Sequence, residues 1–267
     1  MNRAGPYLLR GLVIFWVTWL VVLPVSAVLI RAFADGPAAF VEAIANRTAL
    51  DALWLSTWTA AIATAINTVT GTAIAWALVR WEFPGRPLLA ALVDLPLAIP
   101  TLVAGLVIVA LFGPQSLVGG ALADAGLPIA FARPGIVLAL LLVTLPFVVR
   151  AVEPVLAELD PAEEEAAVML GANRRTVFLR VLLPPILPAV AAGAVQTFAR
   201  SVAEFGSIVA VSGNIAHKTL TAPVYVLGEI EGGNPAGAAA VSVVLLGFAV
   251  VLHPLARMLA MRAGGRK

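Results

Sequence analysis

Long stretches without a single Asp, Glu, Lys or Arg divide the chain. They run over Leu12–Ile30, Ala52–Val79, Leu95–Ala123, Val181–Ala199 and Pro235–Ala256. Each is long enough for the roughly 20 helical residues that cross about 30 Å of hydrocarbon. A sixth run, Pro134–Val149, reaches that length when it continues through Arg150 towards Leu156. Barrel strands would instead alternate apolar and polar residues over about 10 positions. Six helices are therefore predicted, the third kinked at Pro96 and Pro100 in "LPLAIP". Prolines there remove backbone donors, which a bilayer tolerates only where neighbours or water compensate.

Composition agrees with this pattern. The 267 residues are 61% hydrophobic and 12% charged, with a mean hydropathy of +1.00. A soluble domain carries about 25% charged residues, so the chain reads as an all-α integral membrane protein. Arg3 and Arg10 precede the first apolar run, as in a signal peptide, but the run exceeds a 7–15-residue h-region and further spans follow. Despite "VSA" at Val25–Ala27, an uncleaved first helix is expected. The sequence has no cysteine, which excludes disulfides and thiolate metal sites. A net charge of +2 is too small to suggest nucleic acid.

Lys and Arg accumulate in cytoplasmic loops. With both termini inside, 12 of them lie on the cytoplasmic side and 4 outside, while Arg200 falls within a span. "RWEFPGRP" (Arg80–Pro87) then forms a short cytoplasmic turn. We divide the chain into residues 1–51 (tail, first helix and outer loop), a core domain over 52–257, and a basic cytoplasmic tail over 258–267.

The charges that remain are concentrated in "EEEAAVMLGANRRTVFLRVLLPPILP", Glu163–Pro188. Asp160 followed by Pro161 and Glu163 signals a helix start. Gly171 suits a left-handed C-terminal cap, and Asn173 can cap a second helix with an apolar stripe of Val177, Phe178, Val181 and Leu182. Pro184 and Pro185 are expected to end that helix, leaving a rigid joint before the fifth span. Physically this is either an amphipathic element lying on lipid headgroups or a docking element for a soluble partner. The spacing Glu165-Ala166-Ala167, Gly171, Val181, Leu183-Pro184 resembles the EAA loop of ABC-importer permeases, E-A-A-x3-G-x9-I-x-L-P, with Val181 in the Ile position. That resemblance implies a type I importer permease fold with a cytoplasmic coupling helix, docked in a cleft of a separate ATP-binding subunit. The two lysines, Lys218 and Lys267, follow His217 and Arg266, so neither can belong to a Walker A loop, which requires Gly before its Lys.

Polar residues inside spans are candidates for a solute pathway, because a charge at mid-bilayer is costly and is usually paired or turned inward. Asp94 lies near the cytoplasmic interface, either pairing locally or facing the pathway. Arg150 and Glu153, one turn apart at the end of the fourth helix, read as a local pair. Arg200 and Glu204, with Gln196 one turn earlier, form a polar face on the fifth helix. They are either an intrahelical ion pair or an oxyanion contact whose strength Glu204 limits. In "VSGNI", Ser212 and Asn214 read as a turn that could also offer donors to an anion. His217 and His253 are too isolated to suggest a metal site.

"VDLPLAIPTLVAGL", "TLPFVVRAVEPVLAELD", "FARSVAEFGSIVAVSGNI" and "KTLTAPV" resemble the sulfate/thiosulfate permease family, with molybdate permeases as near relatives. The resemblance spans roughly Asp51 to Arg257. It implies a non-enzymatic subunit of a bacterial inner-membrane complex. The expected partners are two copies of an ATP-binding subunit, a second permease chain (identical or paralogous), and a periplasmic or lipid-anchored sulfate-binding protein. ATP and Mg would be bound by the partner, and this chain would hold no cofactor. Molybdate or tungstate is the alternative cargo. An ATP-independent anion carrier is the alternative class, for which the supply of deep coupling groups is poor.

Overall fold

The uncharged runs fold into helices in a computed structural model that describes residues 4–264. In chain order these are α1 (Ala4–Val17), α2 (Leu23–Ala32), α3 (Pro37–Ala45), α4 (Arg47–Arg80), α5 (Arg86–Ala98), α6 (Thr101–Phe112) and α7 (Leu117–Asp124). They continue with α8 (Arg133–Glu158), α9 (Pro161–Met169), α10 (Arg174–Thr176), α11 (Leu183–Val202), α12 (Gly206–Val211), α13 (Ala222–Glu231) and α14 (Pro235–Gly264). A π-helical turn, Thr18–Val22, joins α1 to α2, and another, Val177–Leu182, joins α10 to α11. Among the described residues, five helical runs are long and apolar enough to cross a bilayer, and α5 with α6 makes a sixth, bent crossing.

Two breaks differ from the sequence expectation. The third crossing is not a kinked rod over Leu95–Ala123. It turns by 112° between α5 and α6, and α7 is a separate short helix. The cause lies at Ile99–Pro100: a residue before proline is driven to extended backbone, and Ile99 adopts ψ 142°. The second difference is at Pro184 and Pro185, which open α11 rather than end the preceding helix, so that helix runs unbroken from Arg174 to Val202. Proline is accepted in the first turn of an α-helix, and the π turn just before it shifts the bonding pattern that the missing N–H groups would otherwise interrupt.

The core is built around α8, which packs against both α4 and α11. Glycines set the spacing. A Cβ on Gly71 of α4 would lie 2.8 Å from the Cβ of Val148, and a Cβ on Gly193 of α11 would lie 3.0 Å from the Val148 Cα. Val148 is thus met closely by both helices and fully buried, with Ala75, Val149, Val152, Leu156 and Ile186 around it. Close approach through small residues is how helices gain dispersion energy where lipid supplies no hydrophobic drive. One turn from Gly71, the buried Asn67 amide donates to the Leu141 carbonyl and to Thr144 Oγ1, both at 3.0 Å. At the α8 N-terminal end of the bundle, the Ala222 N–H donates to Ser56 Oγ at 2.8 Å, tying α13 to α4.

Gly193→Val should separate α11 from the α8 backbone and lower the thermal midpoint of the purified chain sharply, or prevent its recovery. Gly228→Ala, where an added Cβ meets nothing within 4 Å, should be neutral or stabilising by about 0.5–1 kcal/mol. Thermal unfolding in detergent checks both.

Candidate functional site

The helix–glycine–helix element forms as its caps dictate. Asp160 accepts from the Ala162 N–H at 2.9 Å, and Asn173 accepts from the Thr176 N–H at 2.9 Å. Gly171, at φ +86°, closes α9: its N–H reaches the Val168 carbonyl, and the Ala172 N–H reaches the Ala167 carbonyl. That pair of bonds is the Schellman arrangement, which needs a left-handed residue. The apolar stripe does not lie on headgroups. Val177 and Leu182 are buried against the protein itself, and Phe178 stacks on Trp76 of α4 with ring centroids 4.6 Å apart.

Sequence reasoning missed the residue that locks this element in place. Arg80, the last residue of α4, pairs with Glu164 at 2.9 Å and donates to the Leu159 carbonyl at 3.2 Å. Its position as the cation that ends the uncharged run of α4 was the available signal. A cleft of about 660 Å³ opens between the α4 end and α9, lined by Trp76, Arg80, Glu164, Glu165, Val168 and Phe178. Beyond it α9 presents bare apolar surface: Val168, Met169 and Leu170 are 58%, 88% and 89% exposed. Glu165 and Ala166 are exposed beside them, Ala167 and Val181 are half-buried, Leu183 is half-buried and Pro184 is exposed.

The polar residues of the spans fall into two pairs. Arg150 does not pair with Glu153. It forks across to Asp94 on α5, Nε donating to one carboxylate oxygen at 2.8 Å and Nη2 to the other at 2.5 Å. Arg200 pairs with Glu204 at 2.6 Å, but the two do not share a helix. The α11 helix ends at Val202, and Glu204 sits in the break before α12. There its carboxylate is fully buried, and its other oxygen accepts from the Ser207 N–H at 2.9 Å and from Ser207 Oγ at 3.0 Å. One side chain thereby stitches the end of α11 to the first turn of α12. A buried carboxylate with a cation and two donors is a satisfied charge. Gln196 lies one turn before Arg200 and lines a cavity of about 340 Å³ together with Arg150.

The bent third crossing also meets the break between α11 and α12. A Cβ on Gly206 would collide with Thr101 Oγ1, and one on Gly105 with the Ser207 carbonyl, so α6 and α12 touch through glycine at their breaks. Irregular backbone at membrane depth is found where protein buries it or a water-filled cavity borders it. Ser212 and Asn214 lie past α12 and are engaged locally. Ser212 Oγ donates to Asn214 Oδ1 at 2.6 Å, Asn214 Nδ2 donates to the Val209 carbonyl at 3.1 Å, and Asn214 takes φ +54°. His217 pairs with Asp51 at 2.8 Å in the same region, at the end of the bundle remote from α9.

A bundle with broken crossings around polar pairs, and a shaped apolar element at one end, has the build of a type I ABC importer permease. The fold bears this out. A chain of the bacterial alginate ABC transporter, solved in complex with its alginate-pentasaccharide-bound periplasmic protein, superposes with a TM-score of 0.78 at 19% identity, covering 96% of this chain and 93% of that one. The MetNI methionine ABC transporter aligns with a TM-score of 0.58 over 80% of this chain. Residues 67–263 match the family of binding-protein-dependent transport system inner membrane components, and the chain belongs to that family. It is 41% identical over 261 residues to the sulfate transport system permease protein CysW of Synechocystis sp., covering 98% of this chain and 95% of that protein. It is 38% identical to the sulfate transport system permease protein CysT of Escherichia coli, covering 91% and 87%.

Glu204→Ala should lower the thermal midpoint of the purified chain by several degrees. Arg200 is only partly buried, with 35% of its side chain exposed, so the loss should stay below the ~3–5 kcal/mol seen when pairs buried on both sides are broken. An unchanged midpoint would show that the break is held by packing alone.

Proposed function

We propose that the chain is the membrane-spanning subunit of an ATP-driven importer for sulfate, with thiosulfate on the same route. The observation that carries this reading is identity of about 40% along nearly the whole chain to permeases named for sulfate transport. Two ATP-binding subunits, a second permease chain (identical or paralogous) and a periplasmic or lipid-anchored sulfate-binding protein complete the complex. The partner subunits bind ATP and Mg and hydrolyse the nucleotide. Both termini and α9 face the cytoplasm of a bacterial inner membrane, an orientation supported by the excess of Lys and Arg in those loops.

On this reading the exposed Val168–Leu170 surface and the cleft beside Glu165 receive the ATPase. Closure of the ATPase pair displaces α9. The Arg80–Glu164 pair and the Trp76–Phe178 stack pass the motion to α4 and to the long helix that begins at Arg174. That helix carries Gln196 and Arg200 along a pathway shared with the second permease chain. Arg200 meets the oxyanion there, and Glu204 keeps the hold weak enough for release, since conduction requires entry and exit alike.

Affinity purification from the native membrane should recover an ATPase, a second permease and a sulfate-binding protein. Proteoliposomes made from that assembly should take up radiolabelled sulfate with ATP. Recovery of the chain alone, or uptake driven without ATP, would favour an ATP-independent carrier. Uptake that followed molybdate while ignoring sulfate would reassign the cargo. Gly171→Pro, which cannot adopt φ +86° and loses the N–H bonded to Val168, should leave the complex assembled and its ATPase active while sulfate uptake falls at least about ten-fold. Unimpaired uptake would remove α9 from the coupling path.

A further inference from the structure

Arg150 is an unusual place for a cation. It stands eight residues before the end of α8, about 12 Å at 1.5 Å per residue, so a full two turns of helix extend beyond it. It is also open: 58% of its side chain and 38% of the Asp94 side chain are exposed. A guanidinium at that depth is not left facing lipid tails; such groups face a water-filled cavity or the bundle interior. The space it lines, about 340 Å³ between α5, α8, α11 and α14, also holds Pro146, Ala192 and Gln196. At about 30 Å³ of liquid per water, that is room for an oxyanion with part of its hydration shell.

As a strut, the Asp94–Arg150 pair is poorly made. Exposed ion pairs add little to stability, and this bundle already has a buried clasp two residues away at Val148. As an anion site it is well made. The guanidinium offers two parallel N–H donors, and Asp94 occupies both with a planar bidentate carboxylate, the geometry that an oxyanion edge would also satisfy. Arg200 also has a carboxylate against it, through a single contact: its Nη2 lies 2.6 Å from one oxygen of Glu204, whose other oxygen is held by Ser207. Gln196 links the two: it is one helical turn from Arg200 and lines the cavity of Arg150.

Resting on the sulfate-importer reading above, we infer that Arg150 is a second, cytoplasmic-side station for the tetrahedral oxyanion, reached after Arg200 and masked by Asp94 when empty. The arriving oxyanion displaces the carboxylate from the guanidinium, and the returning carboxylate displaces the oxyanion towards the cytoplasm. Asp94 thus keeps an arginine on the exit route from becoming a trap. The two stations differ in one respect. Glu204 is buried and also bound to Ser207, whereas Asp94 is half-exposed and, among the described residues, its side chain bonds to Arg150 alone.

The test uses the purified complex in proteoliposomes, with binding protein and radiolabelled sulfate outside and ATP inside. The initial uptake rate is read as unlabelled sulfate inside, on the cytoplasmic side, is raised. Wild type should be inhibited by internal sulfate. Asp94→Asn should bring half-inhibition at an internal concentration about ten-fold lower, the factor expected when a charge-assisted competitor is removed. Arg150→Gln should raise that concentration at least about ten-fold and slow uptake, and Asp94→Asn combined with Arg150→Gln should behave like Arg150→Gln alone. If the pair is only a strut, both single variants slow uptake without moving the half-inhibition point and the double variant restores the rate; that pattern overturns the inference. Wild-type uptake indifferent to internal sulfate overturns it too. A wild-type complex that moves no sulfate at all refutes the cargo assignment instead, and the inference falls with it.

Discussion

The close passage of α8 between α4 and α11 is the contact on which the other features depend. Gly71 and Gly193 each bring a helix against Val148, and no larger residue fits at either point without moving a backbone or a β-branched side chain. Once α8 is held there, its other faces are set by helix geometry. Arg150 is two residues on, about 200° around the axis, so burying Val148 in the clasp turns Arg150 away from it and towards α5 and Asp94. Pro146, one turn before Arg150, is buried and lines the same cavity. A packing decision thereby fixes where a charge can stand.

The second constraint is the cost of unpaired backbone in lipid. The chain breaks its third crossing at Ile99–Pro100, interrupts its helices again at Ala203–Phe205 after the fifth, and packs the helices that follow those breaks against each other through Gly105 and Gly206. Each break frees donors and acceptors that must be met locally. Glu204 does so at one of them by accepting from the Ser207 N–H while holding Arg200. A charged residue that looks expensive in the sequence is thus part of how an irregular backbone is satisfied. The same residue controls how available the Arg200 guanidinium is.

Much of this was legible in the sequence where the cause is local. Asp160, Gly171 and Asn173 cap the helices that their residue types predict, because a cap depends on a few neighbouring bonds. Five spans followed from uncharged length, but the third did not: it starts at Arg86, bends at Ile99–Pro100 and ends at Phe112. What escaped were features decided by neighbours distant in sequence. Arg150 has Glu153 within a turn, yet pairs with Asp94, 56 residues earlier, because the packing of α5 on α8 brings that carboxylate to it. Arg80 read as the edge of a turn until α9 folded back over it. The double proline at 184–185 read as a stop, and only the π turn before it shows how a helix can run into it. The polar residues past α12, Ser212 and Asn214, offered donors on paper and bond to each other and to Val209 in the fold.

The unbroken run from Arg174 to Val202 has a mechanical consequence. It is 29 residues long, about 43 Å at 1.5 Å per residue, and it is held at several points along that length. Phe178 stacks on Trp76 near one end, Leu182 and Ile186 are buried further on, and Gly193 meets Val148 beyond them. A rod fastened this way has no single pivot. A tilt at either end has to be shared by every contact between them, so the two ends of the bundle cannot be repositioned independently.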